Sequence, residues 1–452
     1  MNIIIVGMGR VGRHLTKDLS QENHNVTAID KIEKKIDKLV ESYDIQGING
    51  NGTLVDVLEA ADVKNCDLFV AVTPHDENNI FACLVANRLG AKETVARVRN
   101  PEFVKQFEFM REELGITMMI NPEYSTAREI FRLLQFPSAM DVESFCNGRI
   151  DMAEIKIKKE SPLCNMKLMN LPPNFTKDLL VCAVCRGDDV YIPNGDFIIK
   201  EGDRIHITGS HSQLGKLARI ISGKKDKSIK SVMLIGASRI SVYLANMLAA
   251  DGKDIVVVER NEERCKQFID HCDKGSVILS DANDHDLLIE EGIENMDAVI
   301  TLTNADETNI LVSMFADSLG VEKIITKVGD PNLSQLVTRV NNSAVVSIAE
   351  TISDLLVQYV RAKKNSSSSN MKTLYKLVGG KIEAAEFYAD EHFKYIGKPL
   401  SSIKMKDNIL IAAVNRGNKI FFPSGNDTIE KDDVVVVVSK DYALLTLNDI
   451  IK

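Results

Sequence analysis

The chain is written twice. IIIVGMGRVG at Ile3–Gly12 returns as VMLIGASRIS at Val232–Ser241, 229 residues on. NCDLFVAVTPHDENNI at Asn65–Ile80 returns as NMDAVITLTNADETNI at Asn295–Ile310, 230 residues on. ARVRNPE at Ala96–Glu102 and VCRGDDVYIPNGD at Val184–Asp196 recur at that same spacing, as TKVGDPN at Thr326–Asn332 and VNRGNKIFFPSGN at Val414–Asn426. One fold must therefore serve both halves.

Each half divides again. From about 1 to 125, short apolar runs alternate with amphipathic stretches: IIIVG, then RVGRHLTKDLSQE, then NVTAID, then KIEKKIDKLVESY, and so on to TVARVR. Alternating strand and helix predicts an α/β, doubly wound parallel sheet. A helical connector is expected at Glu123–Leu134, ending before Pro137. From 141 to 225 the pattern changes to short strands with Pro and Gly turns, a small α+β module. The second half repeats the order over 229–350 and 371–452. The segment KKNSSSSN at Lys363–Asn370 reads as a flexible polar linker, and GKKDKSIK at Gly223–Lys230 joins the halves.

Gly7, Gly9 and Gly12 form G-x-G-x-x-G at a strand's end and a helix's mouth. The first glycine makes the tight turn, the second lets the backbone approach a pyrophosphate, and the third lets helix and strand pack closely. Free N–H groups and the dipole at the helix end then favour the anion. Met8, Arg10 and Val11 complete that turn. Asp30, 18 residues past Gly12, ends the second strand, where a carboxylate accepts hydrogen bonds from ribose hydroxyls and repels a 2′-phosphate. That favours NAD(H) or an adenosine nucleotide. The same glycine spacing occurs in phosphate loops of NTPases, but Arg13 and His14 stand where Lys and Ser/Thr are needed.

Other candidates fall at strand C-terminal ends, where open α/β sheets bind ligands. Asn51 follows the third strand, Thr73 and Pro74 the fourth, and Arg97 lies in the fifth, placed to neutralise a phosphate. Asp76, Glu77 and Asn79 open the next helix and serve equally as first-turn charges and caps. In the second copy Gly236 survives, but Ser238 and Ser241 replace the later glycines, and a Cβ at Ser238 would crowd a diphosphate. Ala237, Arg239 and Ile240 fill out that turn. Glu259 supplies the ribose carboxylate, and Asp281, Thr303 and Lys327 match Asn51, Thr73 and Arg97. The second copy either binds a nucleotide in an altered pose or is only structural, and binding is the expectation.

The glycine turn, Asp30, AVTPHDENN and ARVRNPE together resemble an RCK/KTN domain, and the module after each resembles an RCK C-terminal domain. Two such pairs in tandem resemble the cytosolic regulatory subunits of Trk-type potassium uptake systems, over nearly the whole chain. The resemblance implies two Rossmann-like RCK N-terminal domains, each followed by a small RCK C-terminal domain. It implies a homotetrameric ring beneath a Trk-type potassium-transporting membrane subunit, gated by NAD(H) and by ATP/ADP. It also implies a cytoplasmic place, peripheral on the cytoplasmic face of the inner membrane, with membrane contact only through that partner. Gly7 to Val11, Asp30, Thr73, Pro74 and Arg97 match the family's nucleotide positions.

Composition agrees. The formal net charge of −9 speaks against nucleic acid as a partner, and so against a DNA-reading redox regulator. MNIIIVGMGR lacks a signal peptide's basic leader, and no apolar run approaches the roughly 20 residues of a membrane span. The rival class, an NAD-dependent oxidoreductase, needs a proton donor or acceptor near the nicotinamide. The eight histidines are dispersed; His75 is the best candidate and reads as a solvated loop residue. A regulator rather than an enzyme is expected. Arg186 and Arg416 sit in R-G hairpin turns and read as solvated. Cys182 and Cys185 form one CxxC inside a strand, where residues three apart are expected on opposite faces.

Overall fold

Strand β1 (Asn2–Val6) carries four consecutive buried aliphatic residues, the pattern of a strand covered on both faces. In the computed structural model it pairs in parallel with β2 (Asn25–Asp30) on one side and β4 (Leu68–Ala71) on the other. With β3 (Gln46–Asn49), β5 (Thr94–Arg97) and β6 (Met118–Ile120) the order is β3-β2-β1-β4-β5-β6, the doubly wound arrangement. The structure describes residues 1–100, 114–136, 139–146, 149–171, 179–187, 189–210, 213–215, 217, 229–272, 274–330, 332–334, 337, 343–364, 371–378, 380–417, 419–440 and 444–452. Most of both expected linkers, and Pro101, Glu102 and Pro331 of the repeated motifs, lie outside these residues.

The first small module is an antiparallel sheet of β7 (Asp141–Phe145), β8 (Ile150–Lys156), β9 (Leu179–Arg186), β10 (Asp189–Tyr191) and β11 (Arg204–Gly209), ordered β10-β9-β11-β8-β7. The second copy repeats both sheets. Strands β12 (Ser231–Ile235), β13 (Asp254–Glu259), β14 (Ser276–Leu279), β15 (Ala298–Thr301), β16 (Lys323–Lys327) and β17 (Ala344–Val346) run β14-β13-β12-β15-β16-β17. Strands β18 (Met371–Leu377), β19 (Ile382–Tyr388), β20 (Ile409–Arg416), β21 (Lys419–Phe421) and β22 (Val434–Lys440) form the last sheet. The α/β class with tandem α+β modules is therefore the observed one.

The copies are intertwined. Of the helices used here, α1 is Arg10–Gln21, α2 Glu33–Ser42, α3 Val55–Ala60, α4 Asp76–Leu89 and α5 Pro122–Gln135. In the second copy α6 is Arg239–Ala250, α7 Glu262–His271, α8 His285–Glu290, α9 Asp306–Ser318 and α10 Ile348–Lys364. The connector α5 crosses onto α6 of the other copy, with Tyr124 edge-on to Tyr243 at 5.4 Å. The connector α10 crosses back onto α1, where the Ser353 hydroxyl meets Asp18 at 2.5 Å. One core consequently joins the first Rossmann sheet to the second small sheet, through Ile3, Leu15, Leu356 and Phe387. Another joins the second Rossmann sheet to the first small sheet, through Leu234, Leu244, Ile130 and Ile205. The two small sheets face each other across Phe145, Cys182, Ala413 and Val436.

One sequence expectation fails in the small modules, and another is incomplete. The pairing of β11 with β9 passes from His206–Ala183 directly to Ile207–Val181, so Cys182 is the extra residue of a bulge. The bulge resets the alternation, and Cys182 and Cys185 lie on one face, in one apolar cluster. Burial pushes both thiols up to about 12, so neither is a ready thiolate. Arg186 and Arg416 keep solvent exposure, as expected, but both are ion-paired as well. Each guanidinium is held bidentately, Arg186 by Asp203 at 2.7–2.8 Å and Arg416 by Asp433 at 2.8–2.9 Å, and both aspartates are fully buried. Phe197 and Phe421 lie beneath the two guanidinium planes.

The helix crossing carries a titratable group. Glu129 of α5 is half-buried and accepts the Thr351 hydroxyl of α10 at 2.8 Å. Desolvation, with Asp141 adding, pushes its carboxyl up to about 7 against the Thr351 bond and Arg132. A carboxyl raised in the folded state leaves stability intact below its ordinary pKa of 4.5 and removes it as pH rises toward 7. Relative to the wild type, Glu129→Gln should therefore gain stability over that window, by on the order of 2 kcal/mol, and hold the gain above it. Urea midpoints of both proteins at pH 4.5, 6 and 8 check this; parallel curves would contradict it.

Candidate nucleotide site

All strands of the first sheet end on one edge, and the order reverses between β1 and its neighbours β2 and β4. The glycine turn sits at that point. Gly7 has φ +99°, and a Cβ there would come within 2.9 Å of the Thr73 nitrogen. A Cβ on Gly12 would lie 2.0 Å from the Gly7 carbonyl oxygen. Gly9 differs, for nothing lies within 4 Å of its missing Cβ. The first and third glycines serve the fold, and the second leaves open space above the turn. Gly9 is the N-cap of α1 and makes no side-chain cap hydrogen bond. The first-turn N–H groups of Arg10, Val11 and Gly12 thus have no side-chain cap.

Asp30 braces this turn. Its Oδ2 accepts the Met8 N–H at 2.6 Å and its Oδ1 the Ile32 N–H at 2.9 Å, while the Lys35 ammonium lies 3.5 Å away. The ribose acid anticipated from sequence is also a structural ligand of the glycine loop. Asn51 follows β3, and its Oδ1 accepts the Thr53 N–H at 3.3 Å. Thr73 is clipped by Asn79, whose Oδ1 receives both the Thr73 N–H (2.8 Å) and hydroxyl (2.7 Å). The Asn79 amide in turn donates to the Thr73 and Arg97 carbonyls, tying the ends of β4 and β5 together. Asn309 does the same for Thr303 and Lys327. The signal was in the sequence as a threonine and an asparagine six residues apart in both copies.

The structure gathers Gly7, Met8, Gly9, Arg10, Val11, Gly12, Asp30 and Thr73 around the turn, with Asn51 at the neighbouring strand end. Pro74 contributes its carbonyl to the Arg99 guanidinium. Arg97 is turned onto Glu123 of α5 at 2.9 Å, and burial holds its guanidinium below the ordinary value. Its Nη2 is thus paired, while its buried Nε has no hydrogen-bond partner. Asp76 is buried and accepts the N–H groups of Arg99 and Asn100. His75 is an exposed N-cap.

The second copy keeps the acid and closes the helix. Glu259 accepts the Ala237 and Asn261 N–H groups, both at 2.9 Å, as Asp30 does in the first. Gly236 has φ +101°. Ser238 and Ser241 form a capping box over the start of α6: each hydroxyl accepts the other's N–H, at 3.3 and 3.2 Å. The Ser241 hydroxyl also donates to the Gly236 carbonyl at 2.5 Å. Arg239 and Ile240 are the first two helical residues, and Ile240 is buried. A cavity of about 290 Å³ opens beside Gly236, lined among others by Glu259, Arg260, Arg264, Asp281, Asn283 and Thr303. Lys327 points to the Leu302 carbonyl at 3.3 Å, and burial pushes its ammonium down to about 8. Arg10 reaches across the copies to Asp306 at 3.6 Å.

Comparison with known proteins places these features. The pattern of the TrkA-N domain matches residues 3–122 and 232–348, and that of the TrkA-C domain matches 152–222 and 384–452. The Trk system potassium uptake protein TrkA homolog 1 of Methanosarcina mazei is 33% identical over 448 residues, 97% of each chain. The Trk system potassium uptake protein TrkA of Vibrio alginolyticus is 30% identical over 98% of this chain and 97% of its own. Among solved structures, the GsuK RCK domain superposes with a TM-score of 0.62 at 19% identity, covering 97% of this chain and 92% of that one. The GsuK channel bound to NAD gives 0.62 at 17% identity, covering 97% of this chain and 77% of that one. These last two likenesses are of fold.

Proposed function

Because the chain belongs to the TrkA family of Trk system potassium uptake proteins, we propose that it is the nucleotide-sensing regulatory subunit of a Trk-type potassium-transporting membrane protein. NAD(H) is its ligand in the first copy, with ATP and ADP as competitors for the same turn. The observation that carries this reading is the uncapped end of α1, opened by Gly9 and braced by Asp30. A pyrophosphate would take the first-turn N–H groups, and Asp30 would add the ribose hydroxyls to the two backbone bonds it already accepts. Among the described residues no helix is long and apolar enough to cross a membrane. The proposed subunit works as a homotetramer on the cytoplasmic face, touching the membrane through its partner.

The mechanism is a population shift. A ligand moves a conformational equilibrium only by its differential affinity for the two states. The Rossmann domains meet through α1, α5, α6 and α10, so a ligand that changes the seating of α1 changes that contact. Calorimetry tests the reading. NADH should bind, and Asp30→Ala should weaken it by on the order of tenfold or more, the worth of two charge-assisted hydrogen bonds. Indifference to NADH, ADP and ATP alike would remove the sensing role. The oxidoreductase reading is checked in the same cell. It requires NADH turnover on a carbonyl panel above a few per second, and His75 as the base would have to move its pH profile.

A further inference from the structure

The two glycine turns have diverged in opposite senses. In the first copy the helix end is open and Gly9 has free space above it. In the second, the Ser238 and Ser241 side chains take each other's backbone N–H groups, so two of the donors an anion would use are already spent. The second copy nonetheless holds a cavity of about 290 Å³ beside its turn. That is close to the lower bound of the roughly 300–1,000 Å³ usual for small-molecule sites, a size that suits a nucleoside and one phosphate.

Its lining is chemically specific. Glu259 is 7% exposed and stands where Asp30 stands, and Asp281 replaces the neutral Asn51. Two carboxylates at the sugar end accept ribose hydroxyls and exclude a phosphate there. Positive charge comes from side chains instead of the helix. Arg260 and Arg264 line the cavity, whereas Lys35, the counterpart of Arg264, is turned onto Asp30 at 3.5 Å. A guanidinium is a fork that can grip one phosphate bidentately.

We propose that the second-copy cavity is a site for a nucleoside 5′-monophosphate, with Glu259 and Asp281 on the sugar and Arg264 on the phosphate, and that it rejects dinucleotides. This rests on the reading of the first copy as the dinucleotide site, and gives one chain two ligands of different class.

The full-length protein should be titrated with NADH and, separately, with AMP, GMP, CMP and UMP. The expected result is one NADH per chain, abolished or weakened by Asp30→Ala. At least one monophosphate should bind a site that Asp30→Ala leaves intact. Arg264 is exposed, so Arg264→Gln should fold; it should weaken the monophosphate by about tenfold, as for one lost charge-assisted contact, and leave NADH unchanged. Ser238→Gly with Ser241→Gly should admit a second NADH per chain. The proposal is overturned if none of the four monophosphates binds, if Arg264→Gln leaves their affinity unaltered, or if the wild type takes two NADH per chain. Absence of NADH binding with the monophosphate retained would sink the proposed function and leave this site standing.

Discussion

Gly12→Ala should weaken NADH binding by on the order of 100-fold, about 2.7 kcal/mol. A methyl group there would lie 2.0 Å from the Gly7 carbonyl oxygen, so helix α1 must slide away from β1. Such overpacking costs typically 1–3 kcal/mol of stability, and it displaces the N–H groups that face the ligand. Calorimetry with NADH and a urea melt check the two parts. Full affinity in the variant would mean that the phosphates do not sit on α1. The second copy supplies the control. It carries a side chain at this position, Ser241, and tolerates it because the hydroxyl donates to the Gly236 carbonyl. Gly12→Ser should accordingly be the milder of the two for folding and equally poor for NADH.

Arg361→Met should be the most destabilising single change outside the glycine turn. Arg361 is 2% exposed and joins three elements. From α10 it donates to both oxygens of Glu22, which caps α1, at 2.5 and 2.8 Å, and to both oxygens of Glu383 on β19, at 2.8 and 2.9 Å. Removing the cation leaves two carboxylates facing each other in a poorly solvated place. Breaking a buried ion pair by deleting one partner costs about 3–5 kcal/mol. The urea midpoint at pH 7 should fall accordingly. Recovery is expected at acid pH, where protonation relieves the orphaned carboxylates. A loss below 1 kcal/mol would show that the triad contributes specificity rather than stability.

Both sites lie in parts of the chain that were unequally legible in advance. The parallel sheets were readable because their cause is local: unbroken aliphatic runs such as Ile3–Val6, spaced by helical periodicity and written twice. The glycine turn was readable for the same reason. What failed depends on residues far apart. Nothing near Arg186 announces that Asp203, 17 positions on, will be buried beneath it. No count of alternation can show that Cys182 is an extra residue, since the bulge is fixed by how β9 pairs with β11. The stripe on Pro122–Gln135 says that the helix packs, but not that it packs on the opposite copy. At the second turn, Ser238 and Ser241 were read for the bulk they add. Their spacing is also that of a reciprocal cap, and this second meaning closes the helix end.

The crossed connectors change what neighbourhood means in this molecule. Because α10 lays the second small module on the first Rossmann sheet, a strain begun at Gly9 arrives soonest at residues some 360–440 positions away, and only later at the module that follows it in sequence. A protein severed between its halves would not yield two working sensors. Each fragment would carry the lever of one and the fulcrum of the other, and function would return only when both were mixed.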